Sequence, residues 1–179
     1  MYKYLRHLVG SVYPSIIFLE RSKRFSIVHT LRFSNNFFPT LNATSHGLCQ
    51  DLGFGAKDRC ENIRRVGQMS KLMADSGMVT LAALVSPYRA DRNNVRKMVE
   101  AMGISFIEIY VKASVGTCEG RDPKGLYKMA REGKIKNFTG IDDPYEEPAS
   151  PELTLDSNNK SVPELTEETC AFILDKIKL

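Results

Sequence analysis

At 179 residues, with 42% hydrophobic and 26% charged side chains, the chain has the composition of a soluble globular protein and the length of one domain with a full core. Its formal charge of +4 is concentrated at one end, where residues 1–45 hold Lys3, Arg6, Arg21, Lys23, Arg24 and Arg32 against Glu20 alone. The remainder carries no basic excess, so no nucleic-acid partner is expected. The apolar stretch from Leu8 to Leu19 is broken by Pro14 and falls short of the ~20 residues a membrane span needs, so no membrane partner is expected either. Cys49, Cys60, Cys118 and Cys170 are widely spaced with no CxxC pair, which disfavours a metal site of the usual spacing and a disulfide framework. They read as mostly buried thiols, with Cys49 and Cys60 in polar surroundings open to redox chemistry.

In chain order, the first 45 residues are basic, nearly free of acid and without sustained periodicity. That composition suits an organellar transit peptide, a disordered segment or the product of an altered transcript, and Phe25–Leu31 is the one plausible strand in it. From His46 the pattern becomes regular. Asp58 and Glu61 have the spacing of a capping box, and Ile63, Val66, Met69, Leu72 and Met73 recur at helical intervals, predicting a helix over Arg59–Ser76 that Gly77 ends. Met78–Val85 is apolar apart from Thr80, as a strand buried on both faces would be, and Ser86-Pro87 stops it. Asp91–Met102 repeats the helical pattern up to Gly103, and Ile104–Val111 is a second apolar strand. Strand, helix and strand make a βαβ unit with a parallel sheet and a right-handed crossover. Ligands of such sheets bind beyond the carboxyl ends of the strands, which places Ser86, Arg89 and Lys112–Ser114 at the site edge.

A glycine-punctuated basic stretch follows. Arg121, Lys124, Lys128, Arg131, Lys134 and Lys136 surround Gly125, Gly133 and Gly140, with Tyr127 and Phe138 among them. This suits a mobile flap that handles anions, and equally a solvated basic surface. Beyond it, Glu152–Leu155 is a short strand, and Pro163 is the first residue of a last helix whose apolar face is Leu165, Phe172, Ile173 and Ile177.

Four blocks, DLGFGAKDRCENIRR (51–65), VSPYRADR (85–92), RDPKGLYKMAREGKIKNFTGIDDPYE (121–146) and PELTL (151–155), together resemble the adenylylsulfate (APS) kinases of sulfate activation, in that family's order. The resemblance spans His46 to about Asp156. It implies an α/β P-loop kinase-like fold, a parallel sheet flanked by helices, and transfer of the ATP γ-phosphate to the 3′-hydroxyl of adenylyl sulfate, giving PAPS. ATP with Mg²⁺ is then the implied co-substrate, adenylyl sulfate the acceptor, and a homodimer the implied assembly, in the cytoplasm or a plastid. For adenylyl sulfate it implies Phe54 beside the adenine, Arg59 and Asn62 as polar contacts, and Val85 and Ser86 at the pocket's strand end. Lys124, Asn137 and Phe138 fall on the closing flap, while Arg121, together with Lys124, is placed on the ATP side. Ser86 is expected to act by hydrogen bonding rather than as a covalent phosphate carrier, since in-line transfer needs positioning and charge neutralisation above all.

The resemblance breaks upstream of His46. The family's first strand runs into GxxxxGK[ST], whose N–H groups and lysine hold the phosphates, and no such motif occurs in these 179 residues. Where an acidic DGD pair and an arginine should precede HGL, the chain reads TLNATS, with Thr40 and Asn42 in the carboxylate positions and Ser45 in that of the arginine. The sheet is accordingly expected to be incomplete at its N-terminal strand and kinase turnover severely reduced. Two readings follow: a kinase whose phosphate loop this sequence replaces, or a non-catalytic form that binds nucleotide or pairs with a complete subunit.

Overall fold

The computed structural model describes residues 47–177, apart from positions 54, 78, 123 and 124, together with two backbone strands upstream, β1 (Ser15–Glu20) and β2 (Arg32–Ser34). The rest of the fold is α1 (Ala56–Asp75), β3 (Thr80–Leu84), α2 (Arg89–Glu100), β4 (Ser105–Lys112), α3 (Val115–Arg121), α4 (Leu126–Arg131), β5 (Leu153–Asp156) and α5 (Val162–Ile177). The five strands form one sheet in the order β2-β3-β1-β4-β5.

β2 runs parallel to β3, and β5 parallel to β4. β1 lies between β3 and β4 and is antiparallel to both, so these two are parallel to each other, as the βαβ pattern predicts, but are not neighbours. Ser15 faces Leu84 and Tyr110, whereas Glu20 faces Ser105. β1 therefore enters the sheet at the end where β3 and β4 leave it. The expected gap in the sheet is filled by the apolar run at Ser15–Glu20; Phe25–Leu31, the strand candidate from the sequence, lies outside the described residues.

Both faces of the sheet are covered. Alternation along the strands sends Leu81, Ala83, Ile107, Ile109, Val111 and Leu155 to one side, where they pack with Leu165 and Ile173 of α5. Ala82, Leu84 and Phe106 point to the other, against Ile63 and Val66 of α1 and Val95 and Val99 of α2. β3 is buried throughout, as a run that is apolar apart from Thr80 requires. Glu108 is only 5% exposed on β4; it shares the α2-covered face with Phe106, so a carboxylate sits within an otherwise apolar layer.

The start of α1 departs from the predicted capping box. The N-cap is Gly55, with no side-chain cap, and Asp58 stands inside the first turn, where its charge still opposes the positive end of the helix dipole. Glu61 instead pairs with Arg64 and Arg65, and Arg65 also grips Asp51, tying the 47–53 loop to the helix. These arginines hold the Glu61 carboxyl down to about 2. Farther along, Gly67 marks the crossing with α2: a Cβ there would stand 2.8 and 2.9 Å from the two Cγ atoms of Val95. Val95 is β-branched, helical and 4% exposed, so it has no free rotamer to retreat into. Gly67→Ala is therefore expected to cost about 1–3 kcal/mol in steric strain, outweighing the ~1 kcal/mol that alanine gains in helix propensity. A urea midpoint equal to or above the wild type's would contradict this.

Candidate active site

The carboxyl ends of β3 and β4 open on one edge of the sheet, and a lid that takes in residues 125–146 folds back onto that edge. β3 leaves through Val85, half-buried, and Ser86, fully buried. The Ser86 hydroxyl has no hydrogen-bond partner among the described residues, and its carbonyl accepts from Arg92 Nη1. A buried hydroxyl without a partner is costly unless a ligand completes it.

The lid is built from local polar contacts. The Asp122 carboxylate accepts from the N–H groups of Leu126 and Lys128 at 2.8 and 3.1 Å and so serves as the cap that Gly125, at φ 65°, has no side chain to provide. Tyr127 meets Phe138 edge to face at 4.9 Å. Asn137 has a φ of 57°, unusual for a residue with a side chain. Its N–H donates to Asp142 at 2.7 Å, and that of Phe138 to the same carboxylate, so one side chain holds the strained turn.

Arg59 joins this lid to α1. Its Nη1 donates to Thr139 Oγ1 at 2.8 Å and its Nη2 to the Asn137 carbonyl at 2.7 Å. Burial lowers the guanidinium's pKa, while the nearby Asp143, Tyr88 and Asp142 act in the opposite sense. Tyr88 donates its hydroxyl to Asp143 at 3.0 Å, and burial together with that carboxylate raises its pKa. The stretch read as a mobile flap is thus latched at two points, by Arg59 and by Tyr88.

Of the predicted site residues, Arg59, Asn137 and Phe138 come together directly, and Val85 and Ser86 form the strand end. Asn62 is half-buried one turn along α1 from Arg59. Arg121 is committed elsewhere: its guanidinium donates to the hydroxyl and the carbonyl of Ser157 in the loop after β5. Phe54 and Lys124 lie outside the described residues, as do Thr40, Asn42 and Ser45. Arg131 and Lys134 pair with Glu119 and Glu132 at the surface. Tyr88, Arg92, Thr139, Asp142 and Asp143 escaped the sequence reading. The lone acid Glu108 in an apolar strand was the signal for Arg92, because a buried carboxylate calls for a buried cation.

The four cysteines are unbridged. Burial raises the thiols of Cys49 and Cys118, and burial with the Asp91 carboxylate pushes Cys60 up to about 11. A thiol held protonated is a poor nucleophile, which argues against ready redox chemistry at Cys60. Cys60 and Asp91 line a cavity of about 570 Å³ between α1 and α2, which none of the predicted site residues borders. Among the described residues, no helix is long and apolar enough to cross a membrane.

A sheet in the order β2-β3-β1-β4-β5, covered by helices on both faces and closed at its carboxyl edge by a latched lid, defines a kinase-like α/β protein. The family model described as adenylylsulphate kinase matches residues 41–156, and the chain belongs to that family. It is 54% identical over 131 residues to an adenylyl-sulfate kinase of Oceanobacillus iheyensis, covering 73% of this chain and 65% of the relative. Adenylyl-sulfate kinase 3 of Arabidopsis thaliana is 52% identical over 134 residues, covering 73% and 64%. The chain thus spans a little under two thirds of the relatives it matches. Among solved structures, the Mycobacterium tuberculosis APS kinase CysC in complex with AMPPNP and APS is similar with a TM-score of 0.70 and 37% identity, covering 82% of this chain and 79% of that one. The fold is that of the P-loop kinases.

Proposed function

We propose that the protein serves adenylyl-sulfate kinase chemistry, the transfer of the ATP γ-phosphate to the 3′-hydroxyl of adenylyl sulfate, and that these 179 residues supply the acceptor half of that site. The observation that carries the reading is the lid. Arg59 holds Asn137 and Thr139 above the strand end at which the Ser86 hydroxyl lies buried without a partner among the described residues. Adenylyl sulfate offers an anionic group for the guanidinium and hydroxyls for Ser86, while Phe138, backed by Tyr127, offers a face for the adenine. Asn62 and Val85 line the same approach, with Phe54 and Lys124 completing it by family position. Closing the lid would exclude water from the phosphoryl group.

The donor half fits less well. ATP with Mg²⁺ needs a phosphate loop at the carboxyl end of a strand and carboxylates to organise the metal, and the described residues contain no cluster of acidic, histidine or cysteine side chains suited to a metal ion. The carboxyl end of β1 faces Ser105, at the edge opposite Ser86. Arg121 is assigned to the ATP side by family position alone. Pairing of two copies, and a place in the cytoplasm or a plastid, belong to the same reading.

Calorimetric titration of the full chain with adenylyl sulfate and, separately, with ATP tests the assignment. Saturable binding of adenylyl sulfate, with ATP binding absent or far weaker, is the expected result. Failure to bind adenylyl sulfate would remove the acceptor-site reading.

A further inference from the structure

We propose that Arg92 is a positioning residue that sets the base of the lid onto the substrate end of β3. The inference rests on the acceptor-site reading for its purpose, though its contacts stand apart from it. Arg92 is 2% exposed, and its guanidinium reaches three separate parts of the fold. Nε pairs with Glu108 Oε1 of β4 at 2.7 Å, Nη1 donates to the Ser86 carbonyl, and Nη2 donates to the Glu146 carbonyl at 2.6 Å. The plane of the group also lies 5.5 Å from the ring of Tyr145, which stacks on Tyr110 of β4.

The chain emerging from the lid is thereby sewn to the turn between β3 and α2. The Glu146 N–H donates to the Pro87 carbonyl at 2.9 Å, the Arg89 N–H donates to the Glu146 carboxylate at 2.7 Å, and the Arg89 side chain donates to the Glu147 carbonyl. The bonds of Arg89 are exposed and open to competition from water. Arg92 is the buried member of the group and the one that carries the lid base into the sheet, through Glu108. Glu108 is itself backed by Arg96 at 3.6 Å, and Arg96 by Glu152 at 2.7 Å, so the ion pair is held from behind. A planar fork aims two donors at the Ser86 and Glu146 carbonyls while its charge faces the Glu108 carboxylate, a combination the single ammonium of lysine cannot reproduce. Placing Ser86 and Glu146 on one rigid group fixes the strand end and the lid hinge relative to each other.

The test compares wild type, Arg92→Lys and the double variant Arg92→Met/Glu108→Met as full chains. The double variant removes both charges and so leaves no unpaired ion in the core. Backbone hydrogen exchange without ligand is expected to rise at least about tenfold at Arg89 and Glu146 in both variants, while Leu165–Ile173 of α5 keep wild-type protection. Adenylyl sulfate affinity is expected to fall about tenfold in Arg92→Lys. Exchange that rises equally at the lid base and in α5, or that stays unchanged at Arg89 and Glu146, would overturn the proposal and leave Arg92 a general stabiliser or a bystander. If the wild type fails to bind adenylyl sulfate while exchange at Arg89 and Glu146 still answers to Arg92, the substrate reading falls and the coupling of lid base to strand end stands.

Discussion

Turnover of ATP by this 179-residue chain in the presence of adenylyl sulfate is expected to be on the order of 10³-fold or more below that of a family member carrying GxxxxGK[ST]. In that motif the loop leaves the carboxyl end of a strand and opens a helix, so that backbone N–H groups converge on the phosphates. Residues 1–45 contain no GxxxxGK[ST] sequence, and the direction of β1 turns its carboxyl end away from the lid edge. Ser15 faces Leu84 at the lid edge and Glu20 faces Ser105 at the far edge. Five residue steps along a strand are roughly 17 Å, so Glu20 lies about that far from the level of Leu84 at the lid edge. Loss of a single preorganised donor commonly costs 10²- to 10³-fold in rate, and here a whole cradle and its lysine are missing. A coupled assay comparing the two proteins at saturating ATP and adenylyl sulfate reads the difference. Turnover within tenfold of the loop-bearing relative would refute the argument, and with it the assignment of β1 as a reversed substitute for the family's first strand.

The parts of the fold legible in the sequence are those in which local pattern and final environment agree. The apolar runs at 78–85 and 104–111 read as strands because both their faces are buried, and α2 and α5 follow from helical spacing of apolar residues that pack on the sheet. Ser15–Glu20 was a different case. Its apolar run is short and has no neighbouring period, and strand pairing is decided by partners distant in sequence, which composition does not reveal. The cap of α1 was misread because Asp58 and Glu61 have capping-box spacing, yet Glu61 finds stronger partners in Arg64 and Arg65.

At the site, Arg59, Asn137 and Phe138 came from family motifs, whereas the groups that hold the lid down came from neither motif nor period. Tyr88 and Asp143 are 55 residues apart, and Arg92 and Glu146 are 54 apart. Each pair is recognisable only once the lid is folded back. What could have been read in advance is the imbalance. A glutamate inside an apolar strand requires a cation, and Arg92 and Arg96 were the nearest arginines on a helix packing against that face.

The clearest consequence of the latch concerns Arg59. Arg59→Met keeps the aliphatic stem against α1 but removes both bonds to the lid, and it is expected to weaken adenylyl sulfate binding by about 30- to 100-fold. A hydrogen bond from a charged group contributes roughly 1.5–3 kcal/mol, and each 1.4 kcal/mol is tenfold in affinity, so losing the pair at 2.8 and 2.7 Å is enough to reach that range. Arg59→Lys should fall between, because one ammonium retains the charge but cannot bridge the Thr139 hydroxyl and the Asn137 carbonyl with the geometry of the fork. The latch makes a second forecast that involves no ligand. Lys134 and Lys136 are exposed beside the held turn, so trypsin should cut after them faster in Arg59→Met than in wild type. Equal cleavage rates would mean that the lid's other contacts hold it without Arg59 and that Arg59 is reserved for the substrate; unchanged affinity with faster cleavage would mean the reverse, a latch with no share in binding.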